Sequence, residues 1–314
     1  MEASIQIQNL VKSYDSQIAL REVSLEVEPG ELFGVIGPDG AGKTTLFRIL
    51  TTLLVPNSGS ARVCGMDVVT DYRKIRTLLG YMPGRFSLYQ DLSVMENLQF
   101  FASVFNTRIE DNMDLINDIW VQIAPFKDRL AGKLSGGMKQ KLALCCALIH
   151  QPKVLILDEP TTGVDAVSRR EFWDMLKGLK KRGITIVVAT PYMDEAVLCE
   201  RVALMQNGEL LQVDTPAGII SGFERELYAV SASDIYKLLL DLRQYPFAES
   251  VFPFGQTLHY TDRRATFPTE EMLQYLEELG NQNLSIEKII PGIEDCFMAL
   301  GGQQEDTMNS GGKQ

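Results

Sequence analysis

The sequence lacks any apolar run long enough to cross a bilayer, since no window approaches the roughly 18 consecutive apolar residues that a spanning helix needs. Its first residues, MEASIQIQNL, contain no basic segment followed by an apolar stretch. We therefore expect a chain that neither spans a membrane nor carries a signal peptide.

Basic residues and paired cysteines are also scarce. The 30 lysines and arginines stand against 41 acidic residues, giving a net charge of −11, and no Lys/Arg-rich run interrupts this balance. Such a charge argues against nucleic acid as a partner. The five cysteines show no CxxC spacing, which indicates free thiols in a reducing compartment rather than a disulfide framework.

The length and apolar content predict one large domain and one small domain. With 314 residues and 45% hydrophobic composition, the chain can bury a full core. The polar, glycine-rich segment 301–314, GGQQEDTMNSGGKQ, has little to bury, and we expect it to be a disordered tail. Before it, the pattern changes near residue 224, where we expect the large domain to end at about residue 222.

The first chemical motif is GPDGAGKTT, which lies between an apolar strand, LFGVI, and a predicted helix, TTLFRIL. It fits the pattern G-x-x-x-x-G-K-[ST] with Gly37, Gly42, Lys43 and Thr44, and Gly40 adds a third flexible position. Backbone N–H groups in such a loop turn inward around a phosphate, aided by the helix N-terminus. We expect the lysine to reach the outer phosphates and the threonine hydroxyl to bind Mg²⁺.

The second motif is VLILDEP, residues 154–160. Its four apolar residues predict a strand buried on both faces, which in a parallel sheet delivers Asp158 and Glu159 to the carboxyl edge. There Asp158 would hold Mg²⁺ through water. Glu159 would act as the catalytic base that polarises the water attacking the γ-phosphate.

The third motif, LSGGM, opens the apolar helix in KLSGGMKQKLALCCALI. It places a hydroxyl and bare backbone amides at a helix N-terminus, which makes a second phosphate cradle. LSGGM followed by VLILDEP and TTGVD resembles the ATP-binding cassette, whose signature loop completes the ATP site of a partner subunit. The resemblance covers residues 1 to about 220. It implies that the loop acting in trans consists of Leu134, Ser135, Gly136, Gly137 and Met138.

The resemblance assigns further roles by position. Tyr14 matches the aromatic residue on which adenine stacks, and Asp165 matches the loop aspartate that communicates across the dimer. Residues 86 to about 133 match the helical subdomain that touches the membrane permease. The implied nucleotide-binding residues are Tyr14, Gly37, Pro38, Asp39, Gly40, Ala41, Gly42, Lys43, Thr44 and Thr45, and the implied cofactors are ATP and Mg²⁺.

The expected fold class follows from the same resemblance. It is an α/β P-loop ATPase of the ABC type, with a RecA-like core, an antiparallel β subdomain and a helical subdomain. Residues 224–300 read as strand, helix, strand, strand, helix, strand, which predicts a small α+β accessory domain. Its close, PGIEDCFMAL, is similar to the C-terminal domain of ATPases of the ABC-2 export type.

Two positions depart from the family pattern. The strand TIVVAT ends in Pro191, where the family has a histidine that contacts the γ-phosphate. Gly84 stands where the family usually has a glutamine that reaches Mg²⁺ and the attacking water, and Pro83-Gly84 alone predicts a type II turn. Neither residue offers a side-chain hydrogen bond. The chain thus resembles the first cassette of exporters that carry two unlike cassettes.

The leading hypothesis is therefore an ATP-binding subunit of an ABC-2-type exporter. It would lie in the cytoplasm, peripheral on the inner face of the membrane through a separate permease, and would pair with a second cassette as a heterodimer rather than a homodimer. One alternative is a regulatory ATP-binding protein that moves nothing. Another is a soluble ABC ATPase of a different process.

Overall fold

A computed structural model describes residues 3–85 and 87–310. The chain divides into two compact units, Met1–Pro216 and Ala217–Gln314. The division falls a few residues before the position expected from the sequence. Each unit has its own apolar core.

The first unit combines two sheets and a set of helices. Its strands are β1 (Ile5–Tyr14), β2 (Gln17–Val27), β3 (Leu32–Ile36), β4 (Ser58–Val63), β5 (Met66–Asp67), β6 (Leu79–Met82), β7 (Val154–Asp158), β8 (Thr185–Thr190), β9 (Arg201–Gln206) and β10 (Glu209–Asp214). Its helices are α1 (Lys43–Leu50), α2 (Tyr72–Leu78), α3 (Val94–Val104), α4 (Met113–Ile123), α5 (Gly136–Leu148) and α6 (Ala166–Lys181).

The larger sheet has six strands in the order β10-β9-β3-β8-β7-β6. Strands β9, β3, β8, β7 and β6 run parallel, and β10 joins β9 as an antiparallel edge hairpin. Every residue of β3, β7 and β8 is buried, because a parallel sheet is covered on both faces. The continuous apolar runs in these strands have this origin.

The smaller sheet of the first unit is antiparallel, in the order β2-β1-β4-β5. Apolar side chains from β1, β2 and β4 join those of α1 and β3 in a single buried cluster. The expected α/β cassette fold with an antiparallel β subdomain is therefore confirmed.

The helical region contains α3, α4, α5 and short 3₁₀ turns between them. Helix α3 begins at a capping box, in which Ser93 and Glu96 satisfy each other's backbone N–H groups. Asn97, fully buried in α3, organises the chain before the helix. Its amide donates to the carbonyl oxygens of Tyr89 (2.9 Å) and Ser93 (2.9 Å), and its Oδ1 accepts from the Tyr89 N–H (2.9 Å).

The second unit is an α+β domain. Its strands are β11 (Leu227–Ser231), β12 (Ala248–Phe254), β13 (Thr257–Asp262) and β14 (Ser285–Ile289). They form an antiparallel sheet in the order β12-β13-β11-β14. Its helices are α8 (Ile235–Gln244), α9 (Thr269–Glu278) and α10 (Ile293–Ser310), and α7 (Pro216–Ser221) lies at the boundary. Apolar residues of α8 and α9 pack on one face of this sheet.

The predicted disordered tail begins at residue 301. Helix α10 continues through this stretch to Ser310. The first part of the helix has buried side chains, Ile293, Cys296 and Phe297. Residues 311–314 lie outside the described residues.

Among the described residues, no helix is both long and apolar enough to cross a membrane. The five cysteines are free thiols, of which Cys64 is half-buried and the others are buried.

Asn97 yields a prediction about stability. Replacing Asn97 with alanine removes the acceptor of the Tyr89 N–H and the other hydrogen bonds of a fully buried side chain, so we expect a loss of about 1–3 kcal/mol in unfolding free energy. Urea unfolding followed by the fluorescence of the two tryptophans, Trp120 and Trp173, measures it. The control is Gln122→Ala, which removes one exposed hydrogen bond to the Asp118 carbonyl and should change stability by less than about 0.5 kcal/mol. Equal effects of the two substitutions would contradict this role for Asn97.

Candidate nucleotide site

Four neighbouring strands of the large sheet end at the same edge. In spatial order β3, β8, β7 and β6 run parallel, so their carboxyl ends lie side by side. β3 leads into the glycine-rich loop 37–42, β8 into Pro191, β7 into Glu159, and β6 into Pro83-Gly84. The glycine-rich loop, the acidic pair and the two departing positions are thereby brought to one place.

The loop after β3 closes around the ammonium group of Lys43. The lysine Nζ donates to the carbonyl oxygens of Gly37 (2.8 Å) and Pro38 (3.0 Å), and its side chain is only 4% exposed. Glycine is required at Gly37, where a Cβ would lie 2.1 Å from the Met205 carbonyl oxygen. Gly42 has φ 109°, which is in the left-handed region that side chains disfavour.

The remaining loop residues differ in exposure. Pro38, Asp39 and Gly40 are exposed, Ala41 is buried, and Thr45 is half-buried in the first turn of α1. Exposed backbone at the tip and a helix N-terminus behind it are the features that a phosphate cradle requires.

Oxygen donors from two elements meet beside this loop. The Thr44 hydroxyl on α1 donates to Asp158 Oδ1 at 3.2 Å. Burial raises the pKa of the Asp158 carboxyl, although the hydrogen bond from Thr44 opposes the shift. A hydroxyl and a carboxylate are hard donors of the kind that Mg²⁺ prefers, so this pair fits the metal.

Glu159 occupies a strained turn directly after β7. Its φ is 51°, uncommon for a residue with a side chain, and its N–H donates to the Ala189 carbonyl at 2.9 Å. Its carboxylate lies 3.5 Å from Lys43 Nζ and accepts a long hydrogen bond from the Thr162 hydroxyl at 3.4 Å. The predicted base is thus near the predicted phosphate-binding lysine.

The two departing positions lie on the same edge and contribute no polar side chain. At Gly84 an added Cβ would lie 3.1 Å from the Asp158 carbonyl oxygen, so the position is next to the acidic pair. The predicted type II turn is wrong, because Gly84 does not have the positive φ that such a turn demands. A side chain at this position would need a small shift of the Asp158 backbone. Pro191 follows β8 and is half-buried.

The LSGGM segment forms the start of α5. Ser135 caps the helix, its Oγ accepting from the Met138 N–H at a long 3.4 Å, and both Ser135 and Gly136 are exposed. Leu134 is buried beneath the loop. Gly137 faces α6, where a Cβ would come within 2.6 Å of Ser168 Oγ.

Two further residues predicted from the sequence, Asp165 and Tyr14, lie on elements other than these four strands. Asp165 caps α6, and its Oδ1 accepts from the N–H groups of Val167 (3.1 Å) and Ser168 (3.0 Å). The Ser168 hydrogen bonds lower the pKa of this carboxyl. Tyr14, at the end of β1, is 42% exposed, with Lys12 Nζ 5.6 Å from its ring centroid. Its exposed ring is available for stacking.

Sequence reasoning missed one polar group near this edge. Glu195, five residues after β8 ends, is 1% exposed and accepts a hydrogen bond from the Thr190 hydroxyl at 2.6 Å. Nothing in the stretch PYMDEA distinguishes this acid from the exposed Asp194 beside it, because only the tertiary structure buries it.

The fold and this edge define a P-loop nucleotide-binding protein of the cassette type. The chain belongs to the ABC transporter family of ATP-binding proteins. Residues 20–162 match the sequence pattern of the family described as ABC transporter. Membership implies nucleotide binding.

Curated relatives extend the match over both units. The chain is 34% identical to the Nod factor export ATP-binding protein I of Burkholderia thailandensis, over 96% of this chain and 98% of that one. It is 38% identical to the probable multidrug ABC transporter ATP-binding protein YbhF of Escherichia coli, over 90% of this chain but 49% of the relative. The chain therefore spans about half the length of the YbhF-type relatives.

Solved structures agree on the cassette. The cbiO1 protein of Clostridium perfringens, part of an ABC transporter complex, matches with a TM-score of 0.64 and 26% identity, covering 71% of this chain and 93% of that one. A dimeric post-hydrolysis cassette bound to ADP and Pi matches with a TM-score of 0.61 and 25% identity, covering 67% of this chain and 98% of that one.

The buried acid generates a prediction about pH. Burial raises the pKa of Asp158 in the folded state above its value in the unfolded chain, so folding favours the protonated carboxyl. The folded state therefore loses stability as pH rises from the unfolded-state pKa through the folded-state pKa. Asp158→Asn should therefore raise the melting temperature by a few degrees at neutral pH. The gain should vanish below the ordinary pKa of aspartate, where both proteins are neutral at this position. Asp39→Asn, at an exposed position, is the control for melting scans across pH. A lower melting temperature for Asp158→Asn at neutral pH would contradict the assignment.

Proposed function

We propose that this protein is the ATP-binding subunit of an ABC-2-type export system, coupling ATP to a separate membrane permease. The observation that carries the proposal is the cluster of Lys43, Thr44, Asp158 and Glu159 at one sheet edge, in a chain that also has an exposed LSGGM helix start. Relatives named for multidrug and Nod factor export support the direction of transport.

In this proposal the edge holds Mg-ATP. Adenine stacks on Tyr14, the loop 37–45 surrounds the phosphates, and Lys43 exchanges its two loop carbonyls for phosphate oxygens. Thr44 and Asp158 hold Mg²⁺, and Glu159 is the general base. Asp165 lies at the start of α6, where the family places its contact with a second cassette.

The proposed site binds ATP but turns it over slowly. Hydrolysis requires donors aimed at the γ-phosphate and the attacking water, and removing one such preorganised contact typically lowers the rate by about 10²–10³. Gly84 and Pro191 supply none. Slow hydrolysis at a retained binding site makes this a nucleotide-holding site.

We further propose that a second cassette completes the assembly. In a head-to-tail pair each ATP lies between the glycine-rich loop of one subunit and the LSGGM loop of the other. Two copies of this chain would contain two slow sites, whereas a partner with both polar side chains gives one fast site completed by Ser135. The half of YbhF that this chain does not match is long enough for a second cassette. Docking on the permease would place the protein at the inner membrane face.

The asymmetric pair predicts unequal effects of two substitutions in the assembled transporter. Ser135→Arg places a bulky cation at the exposed cap and should abolish ATPase activity, because it blocks the fast site in trans. Glu159→Gln should leave most of the activity, since it alters only the slow site. Phosphate release by the complex, purified from native membranes through a tag on this chain, measures both. Equal losses, or a complex holding only this cassette, would falsify the asymmetric model.

The missing sensor predicts a gain of activity. Pro191→His places an imidazole donor at the end of β8 and should raise the ATPase rate of the purified chain by about tenfold or more. Pro191→Ala, which removes the ring without adding a donor, is the matched control and should change little. If the alanine variant gained as much as the histidine variant, loss of the ring rather than gain of a donor would be the cause.

A further inference from the structure

A buried acid lies immediately behind the nucleotide edge and is not explained by nucleotide binding. Glu195 is in the 3₁₀ turn Met193–Leu198, and one of its oxygens accepts from the Thr190 hydroxyl at 2.6 Å. The other oxygen, Oε1, has no hydrogen-bond partner among the described residues. A buried carboxylate is unfavourable unless it is paired, so a nearby cation is expected.

The nearest cation is Arg169 on α6. Its Nε lies 3.8 Å from Glu195 Oε1, and within the described part of the chain this nitrogen also has no hydrogen-bond partner. The guanidinium lies over the Tyr192 ring at 4.3 Å, and it is 3.8 Å from the exposed Asp194 carboxylate. The Arg169 guanidinium and the Glu195 carboxylate are thus close enough to attract each other, but too far apart for a hydrogen bond.

Each residue of this pair is linked by hydrogen bonds to one of the predicted functional loops. Thr190, which binds Glu195, accepts the Gly37 N–H on its carbonyl at 3.3 Å and the Tyr192 N–H on its hydroxyl at 3.1 Å. Arg169 donates its backbone N–H to the Asp165 carbonyl at 2.9 Å, in the first turn of α6. A continuous path of contacts therefore joins the glycine-rich loop to the Asp165 loop.

We propose that Arg169 and Glu195 are positioning residues that couple nucleotide at the glycine-rich loop to the Asp165 loop. When phosphate draws Gly37 and Thr190 into a new arrangement, Glu195 moves with them and the 3.8 Å gap to Arg169 closes into a hydrogen bond. The first turn of α6 then moves with its arginine. Pro191 lies between Thr190 and Tyr192. The contacts of this path are made by its neighbours, so they do not require a hydrogen-bond donor at Pro191.

The proposal rests on ATP binding, and hydrogen exchange separates the two claims. In the full chain, kept at concentrations where it is monomeric, Mg-ATP should slow exchange in residues 37–45 and also in residues 163–170, each by about threefold or more. In the double variant Arg169→Met/Glu195→Gln the first effect should remain and the second should disappear. Absence of any effect at 37–45 in the unmodified chain would contradict ATP binding itself, and with it this inference.

Replacing Arg169 and Glu195 together avoids a loss of stability that would by itself change hydrogen exchange. Arg169→Met alone leaves the buried Glu195 carboxylate without a cation and destabilises the protein, whereas the neutral pair avoids this. The melting temperature of the double variant should therefore exceed that of Arg169→Met alone. The matched control is Arg182→Met, which removes an exposed ion pair to Asp118 at the other end of α6 and should keep both responses. A double variant that still protects residues 163–170 on adding Mg-ATP would overturn the proposal.

Discussion

The site depends on one geometric constraint, namely that four adjacent parallel strands end at the same edge of a buried sheet. Residues distant in sequence, such as Thr44 and Asp158, come within 3.2 Å because their elements are positioned by this sheet. Burial on both faces demands continuous apolar strands, and polar residues are then confined to the ends. The same constraint that builds the core thus concentrates the acids, the lysine and the glycines in one place.

Several of the residues gathered at this edge are in energetically unfavourable environments. A lysine that is almost fully buried, an aspartate whose pKa burial raises, and a glutamate at φ 51° all oppose stability. They are offset locally by the two loop carbonyls on Lys43 and the Thr44 hydroxyl on Asp158. A nucleotide with Mg²⁺ would relieve these interactions further.

Much of this arrangement was predictable, and the misses have physical causes. GPDGAGKTT, VLILDEP and LSGGM specify loop and strand-end chemistry locally, so their placement follows from the order of elements. The turn at Gly84 was mispredicted because Gly84 packs beside Asp158, on a strand about 70 residues away, and local sequence does not reveal that contact. Glu195 was missed because its burial is tertiary.

The central claim is that this site binds ATP and holds it. The most direct measurement is to equilibrate the purified chain with radiolabelled Mg-ATP, isolate the complex, and follow the chemical state of the bound nucleotide over time. The account predicts tight, Lys43-dependent binding with the label remaining as ATP long after mixing. Rapid conversion of the bound label to ADP in the purified chain, abolished by Glu159→Gln, would contradict it.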